Sequence, residues 1–427
     1  MNLLPLNIVV IGGGAAGFFG AIACAQANPD AHVTLLEASR QPLAKVLISG
    51  GGRCNVTHAC FEPESLVQNY PRGANALRGA FTRFQAKDTA AWFAAQGVYL
   101  NIEADGRMFP VTNTSETIVE CLIKTAATAG VELRIGTPVV SVKRKLSPQE
   151  SGKEEGFEII LKSGETKNCD CLLLATGSSL IGYKIARELG HQIEPPVPSL
   201  FTFNIPESTL RALAGISVNP VQLRLFAGGK TPLQQTGPLL ITHWGLSGPA
   251  VLKLSAWGAR VLHDSHYQAK LLINWLPDLQ QEQVRKKLLA VKQEWPQKAI
   301  ALHRGIDLPH RLWQYMVARS DITTEDRWAG LPHKKLNQLV LELTQGEYLI
   351  NGKGAFKEEF VTCGGVKLKE VDFKTMESRL VPGLYFAGEI LDIDGVTGGF
   401  NFQSAWTTAY LAGKAMGTTD SGKNTQR

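Results

Sequence analysis

The sequence lacks the features that mark several broad protein classes. Its seven cysteines are an odd number without a regular framework, which excludes a scaffold of paired disulfides and suits a reducing cytoplasm. No uncharged apolar run approaches the roughly 18 residues that a membrane span needs, so we expect no membrane segment. The N-terminus has no basic stretch ahead of its apolar run, so we also expect no signal peptide and a cytoplasmic location.

The sequence also gives no support for a metal site or for a Ser/His/Asp catalytic triad. The nine histidines show neither metal-ligand spacing nor a Ser/His/Asp arrangement, so we expect no metal site. The formal charge is only +6, with 44 Lys and Arg against 38 Asp and Glu, and groups such as Arg285-Lys286-Lys287 are typical of solvated helix faces. A nucleic-acid partner is therefore not indicated. The composition is that of an ordinary globular protein with about two or three domains.

The chain does contain a glycine fingerprint near its start. An apolar, β-branched run at Ile8–Ile11 predicts a buried strand, and Gly12-Gly13-Gly14-Ala15-Ala16-Gly17 follows it. A helix is predicted from Ala15 to about Ala27, and a second apolar strand, His32–Leu36, ends at Glu37. Strand, glycine turn, helix, strand and acid occur in the order that a dinucleotide-binding unit requires.

Each part of this fingerprint has a predicted role. The first glycine allows the tight turn, the second lets the backbone reach a pyrophosphate, and the third lets the helix lie close to the strand. The helix N-terminus offers N–H groups and a positive dipole end. The acid can accept hydrogen bonds from ribose hydroxyls and would repel a 2′-phosphate, which favours FAD or NAD over NADP. The predicted contacts are Gly12, Gly14, Ala15, Ala16, Gly17, Glu37 and Ala38.

A glycine-rich stretch runs from Lys45 to Asn55. Its adjacent glycines, Gly50–Gly52, have no side chains to pack, so we predict a loop pressed against a flat ligand, with a surface turn as the alternative. The polar side chains around them can supply donors and a charge to a pyrophosphate or to a flavin's carbonyl edge. The predicted contacts are Lys45, Ser49, Gly51, Gly52, Arg53, Cys54 and Asn55.

The C-terminal part contains a second strand–turn–helix signal. Gly383–Glu389 predicts an apolar strand that ends in a glycine and an acid, and Gly398-Gly399-Phe400-Asn401 precedes a helix predicted from Gln403 to Ala415. The acid could bind a ribityl hydroxyl, and the helix N-terminus could stabilise negative charge on a reduced flavin. A bare structural turn is the alternative. The predicted contacts are Gly388, Glu389, Gly398, Gly399, Phe400 and Asn401.

The chain between these signals predicts further parts of the same domain. A helix is predicted from Ser115, as its N-cap, to Ala129. Three short strands between Val131 and Leu161 predict a β-meander with a solvated hairpin loop at Ser147–Gly156. The strand Cys171–Leu174 should end at a ligand crevice. The predicted contacts here are Val139, Ala175, Thr176 and Gly177.

A change of composition at Pro195-Pro196-Val197-Pro198 predicts a domain boundary. We predict a discontinuous FAD-binding domain at residues 1–197 and 352–417, with an inserted domain at 198–351. The insert is predicted to be a β-barrel from about 198 to 277 and helical from about 278 to 344, and residues 418–427 to be a flexible tail. No second G-x-G-x-x-G follows a strand, so a separate NAD(P)H-binding domain is not expected.

Several of these blocks resemble the signature blocks of a family of bacterial two-domain NAD(P)/FAD-dependent oxidoreductases, whose members include aminoacetone oxidase and a bile-acid-type enone reductase. The resemblance covers nearly the whole chain. It implies an α/β fold with a glutathione-reductase-like, Rossmann-type FAD domain and an insert made of a β-barrel plus helices. The two terminal motifs around one sheet predict that FAD is bound non-covalently. The blocks that carry it are Gly12–Gly17, Ile48–Asn55, Thr242–Pro249, Val361–Val366 and Gly383–Trp406.

Three residues are candidates for chemistry beside the flavin. His243 could act as a general acid or base if its loop overhangs the flavin, and the alternative is a histidine that holds the loop by hydrogen bonds. Arg53 could lower the pKa of the Cys54 thiol, whose nearest partner is Cys60 in a C-x5-C spacing. A redox dithiol is the less favoured interpretation, because disulfide reductases of the related fold use C-x4-C.

The sequence therefore predicts an FAD-dependent oxidoreductase that acts on a small organic substrate between the FAD domain and the insert, with hydride transfer at flavin N5. Transient NAD(P)H is favoured as the reductant. An oxygen-using amine oxidase and an FAD-containing binding protein, with nucleic acid as its partner, are the alternatives. The sequence does not predict the oligomeric state.

Replacing Glu37 by Ala should weaken the binding of FAD more than the binding of FMN, because FMN lacks the adenosine ribose. The purified protein is expected to be yellow, and titration of flavin-free protein with each flavin gives the two affinities. Equal losses for both flavins, or protein that stays colourless after incubation with FAD, would contradict this prediction.

Overall fold

The computed structural model describes residues 5–146, 154–228, 231–354 and 361–418. The chain divides into two units: Met1–Pro196 together with Val361–Arg427 form the first unit, and Val197–Phe360 form the second unit. Most of the predicted hairpin loop at Ser147–Gly156 lies outside the described residues, and so does the predicted tail beyond Thr418. Within the described residues, no helix is long and apolar enough to cross a membrane.

The first unit begins with alternating strands and helices. The strands in this part are β1 (Asn7–Ile11), β2 (His32–Leu36), β3 (Thr57–His58), β4 (Leu100–Ile102), β5 (Arg107–Pro110), β6 (Glu132–Arg134), β7 (Val139–Leu146), β8 (Glu154–Leu161), β9 (Thr166–Cys169), β10 (Cys171–Leu174) and the first part of β11 (Ile193–Ser199), whose last three residues belong to the second unit. The helices are α1 (Ala15–Ala27), α2 (Ala44–Gly52), α3 (Pro63–Val67), α4 (Ala74–Phe81), α5 (Ala86–Ala95), α6 (Glu116–Thr128) and α7 (Leu180–Glu188).

The second unit combines strands with a helical part. Its strands are β12 (Phe203–Asn204), β13 (Ser217–Phe226), β14 (Leu233–Thr242), β15 (Gly245–Ser247), β16 (Gln268–Asn274) and β17 (Gly346–Asn351). Its α-helices are α8 (Ser208–Arg211), α9 (Pro249–Trp257), α10 (Ala259–Asp264), α11 (Gln281–Glu294), α12 (His310–Arg319) and α13 (His333–Gln345). A short 3-10 helix covers Trp328–Gly330.

The chain then returns to the first unit. Its remaining strands are β18 (Val361–Val366), β19 (Val371–Asp372), β20 (Glu377–Ser378) and β21 (Leu384–Phe386). Two 3-10 helices cover Leu368–Glu370 and Gly388–Ile390, and the long helix α14 (Phe400–Gly417) ends the described chain.

The central sheet of the first unit has the predicted Rossmann-type arrangement. Among the described residues it contains seven strands in the order β19-β20-β21-β10-β1-β2-β6. Strands β21, β10, β1, β2 and β6 are parallel neighbours, whereas β19 and β20 extend one side antiparallel. Because the carboxyl ends of parallel strands meet at one edge, the residues after β1, β2, β10 and β21 share that edge. The predicted mixed α/β fold is confirmed.

Helix α1 is apolar on all sides because it is covered on all sides. Ten of its 13 residues are buried, from Ala16 to Ala25. Phe19 contacts the ring of Trp406 in α14, with 5.3 Å between ring centroids. A helix that is apolar all round belongs in the middle of a core rather than at a surface. The two ends of the described chain therefore pack together in one core.

The sheet of the second unit closes on itself. Its described strands follow the order β12-β15-β14-β13-β16-β17. At the two edges, Asn204 N donates to Gly352 O at 3.0 Å, and Phe203 pairs with Lys353 in an antiparallel bridge. Closure removes the free sheet edges, which matches the predicted barrel with a helical part after it.

The glycine-rich stretch, predicted as a loop, begins as a helix. Helix α2 starts at Ala44, and Leu47 N donates to Leu43 O at 3.0 Å. The buried side chain of Val46 anchors this turn. The helical geometry stops at Ser49, Gly50 and Gly51, whose backbone angles are not helical. The loop prediction was therefore wrong for the residues before Ser49.

Other predictions of local structure need correction. Ser115 has helical backbone angles and no capping hydrogen bond; its hydroxyl donates to Leu47 O instead. Strand β6 lies parallel to β2 in the central sheet, so the meander consists of β7, β8 and β9. The helix predicted to start at Gln403 begins earlier, at Phe400, because Gly399 supplies the left-handed turn before it.

Replacing Gln403 by Ala should lower the free energy of unfolding by about 2–4 kcal/mol, since it leaves two buried threonine hydroxyls without their acceptor. Gln403 is fully buried, and its Oε1 accepts from Thr57 Oγ1 at 2.6 Å and from Thr89 Oγ1 at 3.0 Å. Urea unfolding followed by circular dichroism measures the change. Gln293→Ala, at an exposed position of α11, is the matched control and should change it by less than about 0.5 kcal/mol.

Candidate functional site

Backbone hydrogen bonds align the strand ends of the first unit along one edge. Gly12 N donates to Leu36 O at 2.8 Å, and Ala175 N donates to Ile11 O at 2.9 Å. Ala387 N donates to Leu174 O at 3.1 Å. The residue after each strand is thus held by the last residue of the neighbouring strand. This places the three predicted cofactor regions, which are distant in sequence, beside one another.

The glycine turn packs tightly on one side and is open on the other. A Cβ atom at Gly17 would lie 1.8 Å from Gly12 O, so no side chain fits there and the helix can approach the strand. A Cβ atom at Gly14 would meet nothing within 4 Å. Gly14 precedes Ala15 and Ala16, whose N–H groups have no partner inside the helix. This open helix N-terminus suits a pyrophosphate.

The carboxylate of Glu37 is fixed at the end of β2. Its Oε2 accepts from Gly13 N at 2.6 Å, and its Oε1 accepts from Ser39 N at 2.7 Å. Thr137 N donates to Glu37 O at 2.8 Å, so the chain that leads into β7 at Val139 runs beside this residue. Ala38 is exposed next to it. A half-buried carboxylate held in this way favours hydroxyl groups and disfavours a phosphate.

Asn55 joins the glycine-rich stretch to the start of α14. The Asn55 side-chain amide is oriented so that its oxygen and its nitrogen both form hydrogen bonds. The oxygen accepts from Gly399 N at 2.9 Å, and the nitrogen donates to Thr57 O at 3.0 Å. Gly399 has a φ of +92°, and a Cβ there would lie 2.6 Å from Thr57 O. The structure therefore brings together two of the predicted blocks, and only glycine fits the contact between them.

Phe400 and Asn401 turn their side chains into the protein. Phe400 is buried and stacks on the ring of His58, with 4.8 Å between ring centroids. Asn401 accepts from Gly395 N at 2.8 Å and donates to Gly395 O at 2.9 Å. These two residues could reach a ligand only through their backbone N–H groups at the start of α14, next to Gly398 and Gly399.

Lys45 and Glu389, predicted separately, form an ion pair. Lys45 Nζ lies 2.8 Å from Glu389 Oε2, and Glu389 Oε1 accepts from Thr362 N at 3.0 Å. A Cβ atom at Gly177 would lie 3.5 Å from Glu389 Oε2, so the end of β10 faces the same carboxylate. Gly388 N donates to Thr408 Oγ1 at 2.9 Å. The predicted acid thus lies at the cofactor edge, fixed from both sides.

Two buried hydroxyl groups at this edge have no hydrogen-bond partner among the described residues. They belong to Thr176, directly after β10, and to Tyr183 in α7. Burial, followed by the nearby charge of Glu389, raises the pKa of Tyr183, so its hydroxyl stays protonated. The Thr176 hydroxyl packs against α7, because a Cβ atom at Gly182 would lie 1.8 Å from Thr176 Oγ1. Buried polar groups normally have partners, so the Tyr183 hydroxyl is the one that favours a polar ligand. Nothing in the sequence marks Tyr183 as a site residue, because an aromatic residue in an amphipathic helix carries no such signal.

Arg53 and Cys54 differ from their predicted roles. Arg53 Nη1 lies 2.7 Å from Glu103 Oε1, and its guanidinium lies over the ring of Phe109 at 4.0 Å. Cys54 is fully buried, and burial raises the pKa of its thiol to about 12. The expected lowering of this pKa by Arg53 was wrong. Burial also raises the pKa of Cys60, and all seven thiols are free.

The remaining members of the glycine-rich stretch have mixed environments. Ser49 Oγ donates to Val46 O at 2.8 Å, so its hydroxyl is used inside the helix. A Cβ atom at Gly51 or Gly52 would meet nothing within 4 Å, which leaves their backbone open to a ligand. Gly52 O accepts from Ser115 N at 2.9 Å.

His243 belongs to the second unit. It follows β14, and its side chain is exposed in the turn to β15, next to the exposed Trp244. Its catalytic role stays a prediction. Within the described residues, no group of three or more His, Cys, Asp or Glu side chains could hold a metal ion.

The residues of the first unit fit FAD. The open backbone at Gly14, Ala15 and Ala16 would hold the pyrophosphate, and Glu37 would hold the adenosine ribose. The N-terminus of α14 would face the flavin.

Comparison with known proteins agrees with this assignment. The model of the HI0933-like protein Rossmann domain family matches residues 6–415. A ribosomal RNA dihydrouridine synthase of Escherichia coli is 32% identical over 428 residues, covering 96% of this chain and 98% of its own length. A 3-dehydro-bile acid delta(4,6)-reductase of Clostridium scindens is 29% identical over 417 residues, again covering 96% and 98%.

A solved structure shares the fold. The 3-ketosteroid delta1-dehydrogenase of Sterolibacterium denitrificans superposes with a TM-score of 0.50 at 12% identity, and the match covers 97% of this chain and 100% of that one. The match of the family model extends over almost the whole chain. The chain belongs to the HI0933-like family of Rossmann-fold, FAD-dependent oxidoreductases.

Proposed function

We propose that this protein reduces a carbon–carbon double bond conjugated to a carbonyl group, and that its substrate is uridine within RNA. The names of both relatives describe one type of reaction. Dihydrouridine forms when the double bond of the uracil ring, conjugated to a ring carbonyl, is saturated. A delta(4,6)-reductase of a 3-dehydro compound also saturates a bond conjugated to a ketone. The shared chemistry supports a reductase, whichever substrate this chain uses.

The distribution of charge between the two units is the observation that favours RNA as the substrate over a small molecule. The second unit, residues 197–360, contains 19 Lys and Arg against 13 Asp and Glu, whereas the other residues contain 25 of each. The formal charge of +6 therefore belongs entirely to the second unit and is not scattered over the chain. A basic unit joined to a neutral cofactor unit favours a polyanionic substrate. This favours RNA over the small organic substrate that the sequence motifs predict.

Bound FAD would supply the hydride, with NAD(P)H as the source of both electrons. Overall, each reduced double bond takes up one hydride at the carbon remote from the carbonyl and one proton at the adjacent carbon, so one NAD(P)H and one proton are consumed. Negative charge that develops on the carbonyl oxygen needs donors, and backbone N–H groups at a helix N-terminus can provide them. His243 is our candidate for the proton donor.

A small conjugated ketone is the second candidate substrate. The 29% identity to the bile-acid reductase over nearly the full length of both chains favours it. The reaction at the double bond would be the same, so only the recognition of the substrate differs.

The substrate choice is tested with FAD-loaded protein and NADH or NADPH. We expect dihydrouridine in ribosomal RNA transcribed in vitro, detected by nucleoside mass spectrometry, with little turnover of a 3-oxo-Δ4 steroid. Turnover of the steroid alone would favour the second candidate. Anaerobic stopped-flow separates the reductase from an oxidase: flavin bleaching by aminoacetone but not by a nicotinamide, with peroxide formed in air, would overturn the proposal.

Replacing His243 by Ala should slow product formation by about a hundredfold or more, because a general acid typically contributes that factor. The FAD content should not change. His263→Ala is the matched control, since His263 is also exposed in the second unit. If the His243→Ala variant forms product at the wild-type rate, His243 is not the proton donor, and its structural role in the loop is favoured.

A further inference from the structure

We propose that one face of the second unit is a docking surface for single-stranded RNA; this inference rests on the proposed function. The surface lies on the segment between α11 and α12, with a residue of the facing segment beside it. We call it the Trp295 surface, and its members are Trp295, Lys298, Leu302, Arg304 and Arg327.

The backbone under the Trp295 surface is fixed. Ala299 pairs with Arg327 in an antiparallel bridge, and Ile300 N donates to Asp326 O at 2.9 Å. Trp328 N donates to Lys298 O at 3.2 Å, which continues the pairing. Backbone bonds of this kind hold the two segments side by side. The exposed side chains are therefore presented from a defined scaffold rather than from a free loop.

Two buried tryptophans support the segment from below. Trp313 and Trp328 stack with 6.4 Å between ring centroids, and both are fully buried. Trp313 Nε1 donates to Ile300 O at 2.8 Å, and Trp328 Nε1 donates to His303 O at 3.1 Å. These two side chains are buried beneath the segment, whereas Trp295 and Leu302 remain partly exposed to solvent.

Apolar side chains remain exposed on this outer side. Trp295 is 41% exposed and Leu302 is 59% exposed. The ring of His303 lies 5.7 Å from the ring of Trp295, tilted by 36°. A single exposed leucine would need no explanation, but an exposed tryptophan held by a neighbouring ring is a platform on which a planar base can stack.

Cationic side chains are exposed on the same two segments. Lys298 and Arg304 are exposed, and neither forms an ion pair with a carboxylate in the described part of the chain. Arg327 donates to the amide oxygen of Gln297 at 3.3 Å, which leaves its charge uncompensated. Glu294 is the acid next to Trp295 in sequence, and Asp326 is 3.7 Å from Lys335. Asp307 and Glu325 are further exposed acids of these two segments, so the positive excess that favours a polyanion is that of the second unit as a whole, 19 Lys and Arg against 13 Asp and Glu.

This combination fits unpaired nucleotides. A base can stack on the indole, while phosphates on either side meet the ammonium and guanidinium groups. Bases of a duplex are already stacked on one another and do not present their faces, so the fit is to a single strand or a loop. Reduction of uridine also requires the base to leave its stack, so a surface that holds flanking unpaired nucleotides serves the same reaction.

The test measures the affinity of FAD-loaded protein for ribosomal RNA transcribed in vitro, over a series of salt concentrations. Trp295→Ala should weaken binding by about tenfold. The double variant Lys298→Ala and Arg304→Ala should reduce the slope of log affinity against log salt by about 1.4, the value for two lost phosphate contacts on a single strand. Trp295→Phe, which keeps a ring, should retain most of the affinity and shows that loss of stacking, not of folding, is measured.

The matched controls replace residues of the same types that lie outside the Trp295 surface. Trp257→Ala removes a tryptophan of the same unit that is 39% exposed, and Lys87→Ala with Lys124→Ala removes two exposed lysines of the first unit. The FAD content and thermal unfolding of every variant check the fold. If the control variants lose as much affinity for RNA as the variants of the Trp295 surface, or if the latter keep the wild-type affinity, the proposed docking surface is wrong.

Measuring both RNA binding and dihydrouridine formation shows whether the docking surface or the proposed function is wrong. Dihydrouridine formation by the wild type, with Trp295 variants that bind RNA normally, would overturn the surface alone. Binding of RNA that depends on Trp295, without formation of dihydrouridine, would support the surface while the proposed function fails. If both hold, the variants should raise KM for RNA and leave kcat nearly unchanged, because the surface contacts nucleotides away from the reacting base.

Discussion

The cofactor site depends on the parallel pairing of the central strands. Each residue that follows a strand donates its backbone N–H to the last carbonyl of a neighbouring strand, as Gly12 does to Leu36 and Ala175 does to Ile11. Segments that are far apart in sequence thereby end at one edge. The glycine turn, the acid after β2 and the 3-10 helix after β21 can contact one ligand only because of this alignment. Side chains refine the site, but the backbone positions it.

A buried polar network joins the start of α14 to the rest of the first unit. Gln403 accepts from two threonine hydroxyls, and Trp406 Nε1 donates to Val56 O at 2.9 Å. Asp394 is fully buried and forms an ion pair with Arg72. Buried polar groups stabilise a unique arrangement when every partner is present. The N-terminus of α14, which would face the flavin, is therefore held in one position.

The fold and the position of the glycine turn at the end of a parallel strand could be predicted from the sequence, because both follow from local patterns, whereas the contacts with FAD stay predictions. The glycine fingerprint, the apolar strands and Glu37 have fixed spacings that reflect chain geometry. Other features depend on contacts between distant residues. The high pKa of Cys54 follows from complete burial, and the inward side chain of Asn401 follows from a loop at Gly395. Tyr183 is a candidate ligand contact only because its hydroxyl is buried without a hydrogen-bond partner, which the sequence does not reveal.

The division of the first unit into two stretches of chain affects the order of events during synthesis. The second unit, Val197–Phe360, leaves the ribosome before α14 does. Domains generally fold as units during synthesis, so the second unit can fold while α1 still lacks the helix that covers it. Until Phe400–Gly417 has emerged, α1 exposes an apolar surface and one side of the cofactor edge is missing. We therefore expect FAD to load late in synthesis, after α14 has emerged.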